Sequence, residues 1–127
     1  MPTGGTVEMQ RGDTAQFDVT CTRPNASGVQ TAVDLTGMLA AIFTAKRTLS
    51  DLDAAAVFQK TYAAGAIAFV GAATAGILRV TLAAADTSGL EDYAVTLFVD
   101  IKVTESDGIK STPWSGSLIV HPNVTRT

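Results

Sequence analysis

Apolar and polar residues alternate along much of this chain with a period of two, the spacing of side chains on opposite faces of a β-strand. The clearest stretch is "YAVTLFVDIKV". Tyr93, Val95, Leu97, Val99, Ile101 and Val103 share one parity, and Ala94, Thr96, Phe98, Asp100 and Lys102 share the other. The first set predicts a core face. The second is mixed and predicts a wetter face, or one covered by a partner. In "TESDGI", Asp107-Gly108 supplies residues that tolerate positive φ and predicts a hairpin turn. The return strand is "IKSTPWSGSLIV". Pro113 has no N–H to give to a ladder, so an interruption, a bulge or an edge is expected there.

The same reading applies upstream. "TAQFDVTC" places Ala15, Phe17, Val19 and Cys21 inward, and "TRPNASG" is a turn. "MLAAIFTAKR" reads as a strand buried on both faces, with Ile42 and Phe43 on opposite sides. Ser50 followed by Asp53 fits a capping pair for one helical turn. "VFQKTY" and "AIAFV" read as short strands, and Gly71 to Gly76 as a loop. "ILRVTLA" sets Ile77, Arg79 and Thr81 against Leu78, Val80 and Leu82. "AAADTSGLED" predicts a short helical turn that Gly89 ends in a left-handed cap. About eight strands separated by turns predict an all-β, immunoglobulin-like antiparallel sandwich with one or two short helical turns. Residues 1–127 form a single domain in this reading, with 1–6 and 122–127 as extended arms.

Composition narrows the picture. The chain has 127 residues, 46% of them apolar, and much of that fraction is alanine. The core must therefore lean on few large side chains, each contributing about 1.5–3 kcal/mol when fully buried. Contacts between subunits would add to so lean a core. The net charge of −3 offers no basic face for phosphates, so no nucleic acid is expected as a partner. No apolar run has the length of a membrane span, and no membrane partner is expected. Cys21 is the only cysteine, which excludes an intrachain disulfide. "MPTGGTVEMQ" lacks the pattern of a secretory signal, so the expectation is a protein made in a reducing cytoplasm, and the sequons at Asn25 and Asn123 carry no weight.

Candidate chemistry is thin. His121, the lone histidine, ends the last strand and reads as solvent-facing, with no serine or cysteine nucleophile beside it. Cys21 is in phase with Phe17 and Val19 and reads as a buried, inert thiol. The acidic residues are scattered, and none has the spacing of a calcium loop. Glycines 71 and 76 do not form a phosphate cradle. No enzyme activity, cofactor or metal is expected. Arg11-Gly12-Asp13 has the form of an adhesion tripeptide. It abuts a strand, however, and reads as the corner into it. Gly12 permits the kink, Asp13 caps the turn and Arg11 lies on the wet face. Trp114, beside Pro113, reads either as a rim residue capping the core or as an interface anchor. Trp114, Pro113 and Phe98 are the candidate interface residues.

The order of "RGDTAQFDV", "VDLTG", "MLAAIFTAKR", "GILRVTLAAADTSGL" and "DYAVTLFVDIKVTESDGIKSTPWSGSLIVHPNVTR" resembles small structural domains of tailed bacteriophages. It is similar to the N-terminal domain of baseplate upper proteins and to related head or tail accessory proteins. The resemblance runs from about Val7 onward. It implies a non-catalytic virion protein, made in the bacterial host cytoplasm and assembling through protein–protein contacts. It would be a capsid decoration or head accessory, or a tail or baseplate subunit. The implied partners are other virion proteins (major capsid, tail or fibre subunits) and further copies of itself as a homo-oligomer. A baseplate upper protein continues into segments that carry a receptor-binding protein, whereas the resemblance here stops with the domain. The alternative is an immunoglobulin-like module that binds carbohydrate or a cell surface. Few aromatic side chains are present to stack on a sugar.

Overall fold

A computed structural model describes residues 5–48, 56–91 and 93–122. Within them the alternating segments form ten strands: β1 (Thr6–Gln10), β2 (Ala15–Thr20), β3 (Thr22–Pro24), β4 (Gln30–Ala32), β5 (Ala40–Lys46), β6 (Phe58–Thr61), β7 (Ile67–Phe69), β8 (Ile77–Leu82), β9 (Val95–Thr104) and β10 (Lys110–His121). A 3-10 turn (Ala73–Ala75) and one short helix, α1 (Ala84–Thr87), complete the inventory. One sheet has the order β1-β10-β9-β5-β6, a second β2-β8-β7, and β3 and β4 form a separate hairpin. The protein is an all-β sandwich. Phe17 of β2 meets Phe43 of β5 edge-on across the core, with ring centroids 5.4 Å apart.

β9 is the centre of the larger sheet, paired on one side with β5 and on the other with β10. Its buried residues are Val95, Leu97, Val99, Ile101 and Val103, as the parity predicts. Tyr93 departs from that pattern and is 63% exposed. The ladder to β10 ends at the Val95–Val120 pair, two residues short of Tyr93. β8 likewise buries Leu78, Val80 and Leu82.

The irregularity expected at Pro113 is a bulge. Ser111 pairs with Val103 and Trp114 pairs with Ile101, so three steps along β10 match two along β9. The extra residue inverts the parity of everything after it. Trp114, Leu118 and Val120 consequently face the core, and Ser115 and Ser117 face out. Gly108, with φ of 85°, makes the Asp-Gly turn between the two strands.

β1 pairs with β10 in parallel, which departs from the wholly antiparallel expectation. The chain then leaves this sheet at Gly12 (φ 77°) and enters the opposite one as β2. Of the expected N-terminal arm, Thr6 lies within β1, and the Gly5 carbonyl accepts the Ser117 N–H at 2.9 Å. The expected capping pair Ser50–Asp53 falls outside the described residues.

The helical turn at 84–87 forms, but Gly89 does not cap it left-handedly. Ser88 is the cap, in right-handed conformation with φ of −62°. Asp86 holds the other end, accepting the Ala83 N–H at 2.7 Å and the Lys60 ammonium at 2.9 Å. The glycine that does take a left-handed cap is Gly76, after the 3-10 turn. Its carbonyl accepts the Cys21 N–H at 2.8 Å, and the Cys21 carbonyl accepts the Val33 N–H at 2.9 Å. These bonds continue the ladder past β2 and close one end of the sandwich.

Candidate functional site

The outer face of the five-stranded sheet carries the most varied side chains. β9 presents Thr96, Phe98, Asp100 and Lys102 there. The register places Phe98 between Lys46 of β5 and Ser117 of β10, and Asp100 between Thr44 and Ser115. Ile42 lies beside Lys102. On β6, the Gln59 amide donates to Thr44 Oγ1 at 3.2 Å. All of these except Thr96 line an open groove of about 400 Å³. Phe98, 38% exposed, gives it an apolar floor. Lys46, Lys102 and Asp100 place both signs of charge around that floor. The surface suits an amphipathic partner: apolar contact in the middle, hydrogen bonds and ion pairs at the rim.

Of the three residues singled out from the sequence, Phe98 alone offers an exposed ring here. Pro113 is buried. Trp114 is only 7% exposed and points the other way. Its ring stacks on Phe43 at 6.4 Å, and Phe43 stacks in turn on Phe58 at 6.1 Å. Trp114 is a core residue of this sandwich, and its indole has little surface left for a partner. The parity inversion at the bulge is the reason. Ile42, Lys46 and Gln59 join Phe98 only through strand register, which no local pattern shows.

The tripeptide Arg11-Gly12-Asp13 is a corner, as expected, but Arg11 does not lie free on a wet face. Arg11 Nη1 donates to the Leu90 carbonyl at 3.0 Å, and its amide donates to the His121 carbonyl at 2.8 Å. The Gly12 N–H donates to Thr87 Oγ1 at 2.9 Å. The turn closes through the Asp13 amide and the Gln10 carbonyl at 3.3 Å. An adhesion ligand must extend its arginine into solvent, whereas this guanidinium is held against the loop that follows α1.

His121 Nε2 lies 2.8 Å from Glu8 Oε1 on the partly exposed side of β1 and β10. Cys21 is fully buried, and that burial pushes its thiol up to about 11, where it is a poor nucleophile. At the α1 end, Arg47 donates to Glu91 (Nη1 to Oε2, 2.9 Å), which raises the guanidinium and lowers the carboxyl. Among the described residues no three His, Cys, Asp or Glu side chains come together as metal ligands, and no helix is long and apolar enough to cross a membrane. The chain matches no protein-family model and no curated protein.

Proposed function

We propose that this protein is a non-catalytic structural subunit of a tailed-bacteriophage virion, working through surface contacts with neighbouring subunits. The observation that carries the reading is the outer face of the five-stranded sheet. Among the described residues no strand or helix lies over it, and it presents Phe98 amid Lys46, Asp100 and Lys102. The resemblance of the order of sequence segments to that of phage structural domains supports the same reading. A partner seated on this face would cover the partly exposed Phe98 ring.

Immunogold electron microscopy of phage particles from the producing culture tests it. Label over heads is expected for a decoration or head accessory subunit, and label at the tail or its tip for a baseplate or fibre-attachment subunit. Antigen shown to be accessible on disrupted particles, with no particle labelled, overturns the virion reading.

A second reading draws on the same groove. An aromatic ring beside an amide, a carboxylate and hydroxyls (Phe98, Gln59, Asp100, Ser115, Ser117) is also chemistry that holds a sugar. Glycan affinity of the purified protein, lost on Phe98→Ala, would favour this carbohydrate-binding module over the structural subunit.

A further inference from the structure

Among the described residues the large hydrophobic side chains most exposed to solvent are Leu39 and Tyr93 (63% each), then Val29 and Ile109 (59% each). Tyr93 lies at the α1 end. The other three lie on three loops gathered at the opposite end. Ile109 sits in the β9–β10 turn and Leu39 immediately precedes β5. The Leu39 N–H donates to the Thr104 carbonyl, the last residue of β9, at 2.8 Å. Gly37 lies so near Ser106 that a Cβ on it would stand 3.0 Å from the serine Cβ. Val29 is at the tip of the β3–β4 hairpin, which the Arg23–Glu105 ion pair ties to the β9–β10 turn. An apolar side chain left in water on one loop is ordinary; three on neighbouring loops is a pattern.

The loops are fixed before anything binds. The Asn25 amide donates to the Val29 carbonyl at 2.9 Å, and Asn25 Oδ1 accepts the Ser27 and Val29 amides. The Met38 amide donates to the Leu35 carbonyl at 3.0 Å, and the Glu105 amide to the Ile109 carbonyl at 2.9 Å. Side chains carried on closed turns lose little freedom when a partner covers them.

Charge selects the occupant. Arg23 and Glu105 neutralise each other. The remaining charged residues on the three loops and at the first position of β10 are the exposed carboxylates Asp34 and Asp107 and the exposed ammonium of Lys110, an excess of one negative charge. A second copy docked end to end about a two-fold axis would bring the same acidic surface against itself. An anionic bilayer would be repelled as well.

We infer that this end of the sandwich, with Val29, Leu39 and Ile109 as its apolar contacts, docks onto a different virion protein that presents an apolar patch bordered by lysine or arginine. The inference rests on the virion reading. It adds a second surface, carried on loops and separate from the outer sheet face.

The test uses purified full-length protein added to particles assembled without it, with bound protein measured after sedimentation. Val29→Ser/Leu39→Ser/Ile109→Ser removes the apolar tips. Asp34→Asn/Asp107→Asn removes the charge while keeping the turn-closing Oδ1 acceptors. Thermal melting checks that each variant is folded. Covering these tips contributes about tenfold in affinity apiece, so the triple variant is expected to lose binding by at least that factor. The charge variant is expected to bind more weakly and with a flatter salt dependence. A triple variant that is folded and binds like wild type overturns the inference. If the triple variant does not fold, the charge variant decides, and wild-type binding with unchanged salt dependence overturns it. Two further outcomes overturn the choice of occupant: dimerisation that the triple variant abolishes, or wild-type binding to phosphatidylcholine–phosphatidylglycerol vesicles that the triple variant abolishes. Should wild type itself fail to join particles and leave them unlabelled by gold, the virion reading falls and takes this inference with it. Particle labelling together with an unaffected triple variant removes the inference alone.

Discussion

Gly116 is the position where one added methyl group should be felt most sharply. Its backbone is not left-handed, so alanine meets no conformational penalty there and gains about 0.4–1 kcal/mol by restricting the unfolded chain. The space is the obstacle. A Cβ on Gly116 would stand 2.2 Å from the Gly5 carbonyl oxygen and 2.9 Å from the Gly5 nitrogen. Those are backbone atoms, so no rotamer relieves the overlap. The Gly5 segment must move away from β10. Moving it breaks the bond from the Ser117 N–H to the Gly5 carbonyl, 2.9 Å long, which begins the parallel ladder of β1. Overpacking costs about 1–3 kcal/mol and the lost hydrogen bond about 1 kcal/mol. Set against the unfolded-state gain, Gly116→Ala should destabilise by roughly 1–3 kcal/mol. The assay is urea unfolding combined with amide hydrogen exchange. The Ser117 amide should lose protection out of proportion to the global change, because the strain is released by freeing the start of β1. A variant within about 0.5 kcal/mol of wild type, the scale of an ordinary surface substitution, and with Ser117 still protected would refute the steric reasoning.

Three further outcomes follow from specific contacts. Thr87→Val should destabilise by about 1–3 kcal/mol in thermal melts while Thr87→Ser is tolerated, because the Gly12 N–H donates to the hydroxyl of this buried side chain. Gly76→Ala should cost clearly more than Gly108→Ala in urea titration. Both have positive φ, but a Cβ at 76 would stand 2.6 Å from the Val33 carbonyl oxygen while that at 108 meets open space, so the difference reads the steric part alone. For Cys21, the folded thiol holds its proton more tightly than the unfolded one, with burial moving it from 9.0 to about 11. Its contribution to stability is therefore complete below pH 9 and lost as pH rises through 11, a change of about 2–3 kcal/mol. Wild type should lose this much more than Cys21→Ala between those limits in urea titrations, and parallel curves would sink the assignment.

Much of the fold was legible because burial in a sandwich follows parity. β9 and β8 read directly: burial alternates along each, and every buried residue on them is apolar. Parity fails where a strand changes phase, and the bulge beside Pro113 is such a place. Pro113 announced an irregularity but not its size, and the single extra residue decides which way Trp114 faces. Had the bulge contained two residues or none, Trp114 would lie on the outer face and Ser115 would face the core. The anchor reading of Trp114 therefore depended on a number that the local sequence does not carry. Gly89 shows a different limit. Glycine is permissive rather than directive, so its presence after a helical turn allows a left-handed cap without requiring one. At Gly76 the same residue type is required, because the carbonyl oxygen of Val33 occupies the place a side chain would take.

The two candidate surfaces were unequally legible for a related reason. Phe98 stood out as an apolar residue on the polar parity of one strand, a signal contained within a few positions. Ile42, Lys46 and Gln59 join it only after β5 and β6 are set beside β9, and that register is a property of three strands together. The loop end is further removed still. Val29, Leu39 and Ile109 are eighty residues apart at their extremes, and each alone is an unremarkable loop hydrophobe. What joins them is the Arg23–Glu105 pair and the bond from Leu39 to Thr104, contacts made only once the sandwich has closed. Breaking the ion pair with Glu105→Gln should therefore loosen the β3–β4 hairpin from the β9–β10 turn while leaving the core melt nearly unchanged, since exposed pairs contribute only about 0–1 kcal/mol. If docking needs the tips held together, this variant binds particles more weakly than wild type despite keeping all three apolar side chains. Equal binding would mean that the tips act singly and that their common placement carries no function.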